Sequence, residues 1–266
     1  MTEAKPEREM RKIEKQIELS APAETVWKML TDPGELMRWF PLEARVEPGK
    51  NGKISLSWGP GYEGNAPIEV WEPNRRLAWA DSSSGQPVRV EWTIEARGGK
   101  TVLRVVQSSF VTGAEWENEF YDSTDYGWTF MLLNLRHYLE RHTGQPRIVA
   151  WPRHELEMPR PAVYEKLMGH GGIFVKGAAE NLREGQRYSL RTATGEDWRG
   201  RVEFMVPQRG FCVTVESLND ALAWLTIEGS GPRHDVQLWF STYGLLASKA
   251  KEIENRWADA LKTIFG

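Results

Sequence analysis

The chain has 266 residues, 40% of them hydrophobic and 27% charged, with a formal net charge of −3. That length favours two domains of about 130 residues, each able to bury a core without staples. A charge so near zero gives no electrostatic grounds for a nucleic-acid or anionic-membrane partner, and 13 tryptophans mark a globular chain.

The opening stretch MTEAKPEREMRKIEK carries charges with no apolar core behind it, so no secretory leader is expected. IEKQIELSA then alternates Ile13, Ile17 and Leu19 against charged positions, a strand with one buried face. Pro22 and Glu24 suit the first turn of a helix in which Val26, Met29 and Leu30 share a face. Asp32-Pro33-Gly34 stops it, and a second short helix is expected over GELMRWF. That helix carries Trp39 and Phe40, which either cap a core or close the mouth of a pocket.

A series of strands follows. Ile54, Leu56 and Trp58 alternate with polar residues, Ile68 and Val70 flank Glu69, and Leu77 and Trp79 follow a Pro73-Asn74 turn. Val88, Val90, Trp92 and Ile94 alternate with Arg89, Glu91, Thr93 and Glu95. ARGGK is a hairpin turn, and TVLRVVQSSF returns, giving an antiparallel meander with one wet face. After an acidic loop, VTGAEWENEFYD, a long helix is expected to carry a stripe of Trp128, Met131, Leu132, Leu135, Tyr138, Leu139 and His142. Phe130 and Leu133 fall off that stripe and are candidates for an interdomain or dimer contact.

The pattern then repeats. VWKML (26–30) echoes VYEKL (163–167), ISL (54–56) matches YSL (188–190), and IEVWEPNRRL (68–77) aligns with VEFMVPQRGF (202–211). TIE (93–95) recurs at 226–228 and QSSF (107–110) becomes FSTY (240–243). The offsets of 137, 134, 134, 133 and 133 stay in register, the mark of a tandem duplication. The boundary is expected in TGQPR, dividing the chain into domains 1–145 and 146–266. Each is α+β: a curved sheet against one long helix, an arrangement that leaves a cavity between them.

APAETVWKMLTDPGELMRWF, WEPNRRL, TVLRVVQSSF and the GW opening the stripe of the long helix together resemble the SRPBCC or START-like superfamily. Within it, the chain resembles the family of activators of the heat-shock-90 ATPase. The resemblance covers about residues 11 to 143. It implies a helix-grip fold with a deep, mostly apolar pocket, and for the whole chain two tandem helix-grip domains. The second copy departs from the pattern: it reads LMGHGGIFVKGA in place of LTDPGELMRWFP and lacks most of the acidic loop.

On the last strand of the meander, Leu103, Val105 and Gln107 should face inward, and their counterparts are Val236, Leu238 and Phe240. The first copy thus points an amide where the second points a phenyl ring, and a buried amide needs a partner from a ligand, water or the chain itself. The expected ligand-binding residues are Trp39, Phe40, Trp58, Trp79, Trp92, Gln107, Phe110, Trp128 and Leu132. Tyr188, Phe204, Phe211 and Phe240 are expected to fill the second copy.

Chemistry is sparsely signalled. His154, His170 and His234 have no ligand-spaced companions, GHGGIFVKG lacks phosphate-loop spacing, and Cys212 within GFCVTV is a structural thiol. Glu115, Glu117, Glu119, Asp122 and Asp125 read as a solvated lid loop whose end caps the helix, rather than a metal or acid–base cluster. No catalytic residue, metal or cofactor is assigned. The reading is a cytoplasmic, non-enzymatic binder of a small apolar or amphipathic molecule, without nucleic-acid or membrane partners and with no assignable oligomeric state. A cyclase- or aromatase-like enzyme and a chaperone-associated protein are the alternatives.

Overall fold

The computed structural model describes residues 9–81, 88–176, 179 and 182–266. The expectation that the N-terminal stretch is no leader falls largely on residues 1–8, outside the described residues. The chain divides into two compact units between Gly144 and Gln145.

The first unit begins with β1 (Glu9–Leu19), α1 (Ala23–Thr31) and α2 (Pro33–Leu36). Six more strands follow: β2 (Glu43–Glu47), β3 (Lys53–Ser57), β4 (Glu63–Glu72), β5 (Arg76–Asp81), β6 (Val88–Arg97) and β7 (Lys100–Thr112). It closes with α3 (Glu115–His137), which continues into a π-helical turn over Tyr138–His142. The antiparallel sheet runs β1-β7-β6-β5-β4-β3-β2. Its apolar alternation drives one face against α3: Ile13, Leu19, Val90, Trp92, Ile94, Leu103 and Val105 are all buried.

The second unit repeats this order. The counterpart of β1 is broken at Trp151-Pro152 into β8 (Arg147–Ala150) and β9 (Arg153–Glu157). Then come α4 (Arg160–Met168), β10 (Phe174–Lys176), β11 (Arg187–Thr192), β12 (Asp197–Val206), β13 (Gly210–Val215), β14 (Ala221–Glu228), β15 (Arg233–Tyr243) and α5 (Ala247–Phe265). Sheet order is β10-β11-β12-β13-β14-β15-β8, with β9 also pairing β15. Both units are therefore α+β helix grips in tandem.

The repetition extends to irregularities that sequence motifs do not carry. A register shift between Ile68 and Val70 on β4 recurs between Val202 and Phe204 on β12. The left-handed turn residue Asn74 (φ 62°) has its counterpart in Gln208 (φ 60°). The bulge in β12 also corrects one expectation. Beyond it, Phe204 pairs with Cys212 and Met205 with Phe211. Met205 packs against the core cluster around Phe211, while Phe204, also buried, lies outside that cluster, because one extra residue reverses which face a side chain meets.

Three element boundaries differ from expectation. The second helix begins at Pro33, not Gly34, and is only four residues long. Asp32 stops α1 and starts α2 at once: its Oδ1 accepts from Glu35 N at 3.0 Å, with Pro33 in the first helical position. The acidic segment is helix rather than loop, since α3 starts at Glu115. There Glu117 reaches back to accept from Ala114 N at 2.9 Å, the reciprocal half of a capping box. The edge strand β2 carried no signal, because none of its side chains is buried.

In the second unit GHGGIF passes through turns into β10, and no helix stands there among the described residues. Gly177 and Ala178, at the end of the divergent stretch, lie outside them. Phe130 and Leu133 are buried, as are their neighbours from Met131 to Leu135, so α3 is enclosed well beyond its expected stripe.

Candidate ligand-binding site

The first unit gathers six of the nine expected residues into one aromatic cluster. Trp79 comes from β5, Trp92 from β6, Trp128 from α3, Trp58 from the turn after β3, and Trp39 and Phe40 from the turn after α2. Phe40 stacks on Trp39 (ring centroids 5.0 Å apart) and on Trp128 (5.2 Å), with Trp58 edge-on at 5.0 Å. Trp92 meets Trp128 and Trp39 edge-on at 5.2 Å and 6.0 Å, and Trp79 at a tilt at 6.4 Å. These separations are those of favourable aromatic contact, and all but Trp58 are buried.

Polar groups fix the cluster. Trp128 Nε1 donates to Gln107 Oε1 at 2.6 Å, so the inward amide finds its partner in another expected lining residue rather than in its own loop. Trp39 is held at both ends: its Nε1 donates to Met29 O at 2.9 Å, and its carbonyl accepts from Asn134 Nδ2 at 2.6 Å. Tyr138 OH donates to Glu35 Oε2 and accepts from Gly144 N, both at 3.0 Å, tying α2 to the end of the long helix. Burial raises the Tyr138 phenol above its usual range.

Phe110 and Leu132 stand apart. Two residues of β7, Ser108 and Ser109, oppose one of β1, Lys12, and Ser109 takes φ 76° there. This bulge turns Phe110 back to the buried side, where it meets Phe120 (5.6 Å) and Tyr121 (5.3 Å) instead of the tryptophans. Leu132 is buried on α3, one turn beyond Trp128 on the same face.

Sequence reasoning missed the surroundings of the cluster. Met10 on β1, Tyr62 in the β3–β4 turn, and Trp116 and Phe120 on the first turns of α3 are large apolar side chains left exposed. The strand registers place the start of β1, the end of β7 and the β3–β4 turn at one end of the sheet. Taking the acidic segment for a solvated loop hid its aromatics. Asn134, an amide inside MLLNL, was the signal for the Trp39 anchor.

His142, expected on the helix stripe, is buried, as is His137, and their Nε2 atoms lie 3.3 Å apart across the π-helical turn, one ring donating to the other. Among the described residues no group of three or more metal-ligating side chains occurs. Cys212 is fully buried, and burial pushes its thiol well up, as befits a structural cysteine. An open groove of about 700 Å³ runs along α1, past Trp27, Trp71 and Leu139. None of the nine expected residues lines it. Being an open surface groove, it is separate from the enclosed cluster. No helix of the described residues is long and apolar enough to cross a membrane.

A curved antiparallel sheet closed on one long helix, with an aromatic interior between them, defines a helix-grip domain of the SRPBCC type. Residues 20–140 match the model of the family described as activator of Hsp90 ATPase homolog 1-like protein, and the first unit has that family's fold. No curated protein matches the chain. Among solved structures, the Aha1 dimer from Colwellia psychrerythraea is 19% identical, covering 51% of this chain and 100% of its own, at a TM-score of 0.46. Two similar structures span nearly all of this chain. DynU16, from the dynemicin biosynthetic locus, is 18% identical over 95% of this chain and 96% of its own, at a TM-score of 0.45. The di-domain ARO/CYC BexL, from the BE-7585A biosynthetic pathway, is 16% identical over 96% and 94%, also at 0.45.

Proposed function

We propose that the first unit is a binding module for a small apolar or amphipathic molecule, and that the second unit is structural or mediates association. The observation that supports this is the placement of apolar surface. Exposed Tyr62, Trp116 and Phe120 lie at one end of the sheet, where half-buried Trp58 donates its backbone N–H to Tyr62 O and touches Phe40 at the edge of the buried cluster. Large aromatics left in water at the entrance to an aromatic interior are costly for a self-contained fold and useful to an incoming apolar ligand. Burial of ligand carbon at about 25 cal/mol per Å² supplies the affinity, and the Gln107–Trp128 pair orients a polar end.

Native mass spectrometry of the purified full chain, alongside a Trp128→Ala variant, tests this reading. A retained small molecule, absent from the variant, is the expected result and gives the ligand's mass. Equal retention by both proteins would remove the cluster as the binding site.

A further inference from the structure

The ring of Phe40 sits where a flat ligand would sit. It lies between the indoles of Trp39 and Trp128, nearly parallel to both, at interplanar angles of 18° and 24°. The two walls of this slot are anchored by polar bonds: Trp39 through Met29 O and Asn134, and Trp128 through Gln107. Phe40 is held through its backbone, its N–H donating to Leu36 O at 2.9 Å, while its phenyl ring is an apolar group that rotates about its side-chain bonds. Fixed walls and an apolar filler make a slot one aromatic ring thick, occupied by the chain itself.

A second observation concerns the edge of that slot. Trp92 is 1% exposed and its ring touches both walls, 5.2 Å from Trp128 and 6.0 Å from Trp39. Among the described residues its Nε1 has no hydrogen-bond partner. A buried indole N–H without an acceptor is unfavourable, and such groups are rare outside functional sites.

We propose that Phe40 is a resident occupant of an aromatic slot, displaced by a planar aromatic molecule whose hydrogen-bond acceptor is received by Trp92 Nε1. This rests on the ligand-binding reading and specifies the chemical class of the ligand. Self-occupancy reduces apparent affinity by the fraction of molecules whose slot is open, so emptying the slot tightens binding.

The test is a fluorescence titration of the full chain with prodan, a planar naphthalene ketone. Naphthalene, which lacks an acceptor, is measured by competition. Phe40→Ala is expected to bind prodan at least fivefold more tightly than wild type. Adding Trp92→Phe to that variant is expected to weaken prodan about fivefold and leave naphthalene unchanged. If circular dichroism shows Phe40→Ala misfolded, Phe40→Leu replaces it, with the same sign expected. Equal or weaker binding by the Phe40 variants, with wild type binding, overturns the displacement and leaves the ligand-binding reading standing. Equal losses for prodan and naphthalene on Trp92→Phe overturn the acceptor assignment. Binding by none of the proteins overturns the inference and the ligand-binding reading together.

Discussion

The two units share a framework and fill it differently. With the offsets that align the strands, Trp58, Trp79, Trp92 and Gln107 of the first unit correspond to Thr192, Val213, Leu225 and Phe240 of the second. The exchange also runs the other way. Gly64, opposite Leu56, corresponds to Trp198, opposite Leu190. Trp198 is fully buried in ring contact with Phe174, Phe240 and Trp257. The second unit thus builds a continuous hydrophobic core from its own aromatics. The first places its tryptophans around a polar pair and a stacked phenyl ring, with exposed aromatics at one end. Strand pairing and bulges set the frame, while a handful of inward side chains decides whether its interior serves as core or site.

The largest effect is expected where the second unit depends on its filling. Trp198→Ala should destabilise that unit by about 3–5 kcal/mol, read by urea denaturation. A loss under about 1 kcal/mol would mean that the frame, not the aromatic filling, carries its stability. Next comes the polar pair of the first unit. Gln107→Leu leaves the buried Trp128 N–H without its acceptor and should cost about 1–3 kcal/mol, whereas the second unit tolerates a phenyl ring at the same place.

Gly64→Trp transplants the second unit's solution into the first. Among the described residues, a Cβ at Gly64 would find only Asp81 Oδ2 nearby, at 3.7 Å, so the backbone accepts a side chain. Prodan affinity should fall at least tenfold, about 1.4 kcal/mol, with the circular dichroism spectrum unchanged. Undiminished binding would place the ligand away from this part of the sheet.

The smallest effect concerns Cys212, which stands where the first unit has Ala78. Burial pushes the folded thiol up, so the unfolded chain releases its proton first, near pH 8.5. That contribution to stability is present below this pH and is lost as pH rises above it. Cys212→Ala should flatten this part of the pH dependence of urea stability, and an unchanged slope would assign it to other groups.

Much of this was legible in sequence because period-two alternation records which strand face is buried. Trp92, Leu103, Val105 and Gln107 could be placed inward before any coordinates. The duplication was visible because its motifs sit at turns and strand ends, where a Pro-Asn and a Pro-Gln turn must take one geometry. Bulges were not legible. The extra residue near Ser109 is what returns Phe110 to the inside, and the one near Phe204 is what turns that ring, still buried, away from the cluster around Phe211. Nor did composition separate an acidic loop from the first turns of α3, since helix caps and tertiary contact decide that boundary. Burial could be read from pattern, but the closed stack of Phe40 between Trp39 and Trp128 could not. It depends on which rotamers fill the interior.

The most direct test is the stoichiometry of prodan binding to the full-length chain with Phe40→Ala, measured by equilibrium dialysis at saturating probe. An unfilled first unit and a filled second one predict one molecule per chain, lost when Trp128→Ala is added. Two molecules per chain, or one that survives Trp128→Ala, would contradict the assignment of the binding site to the first unit.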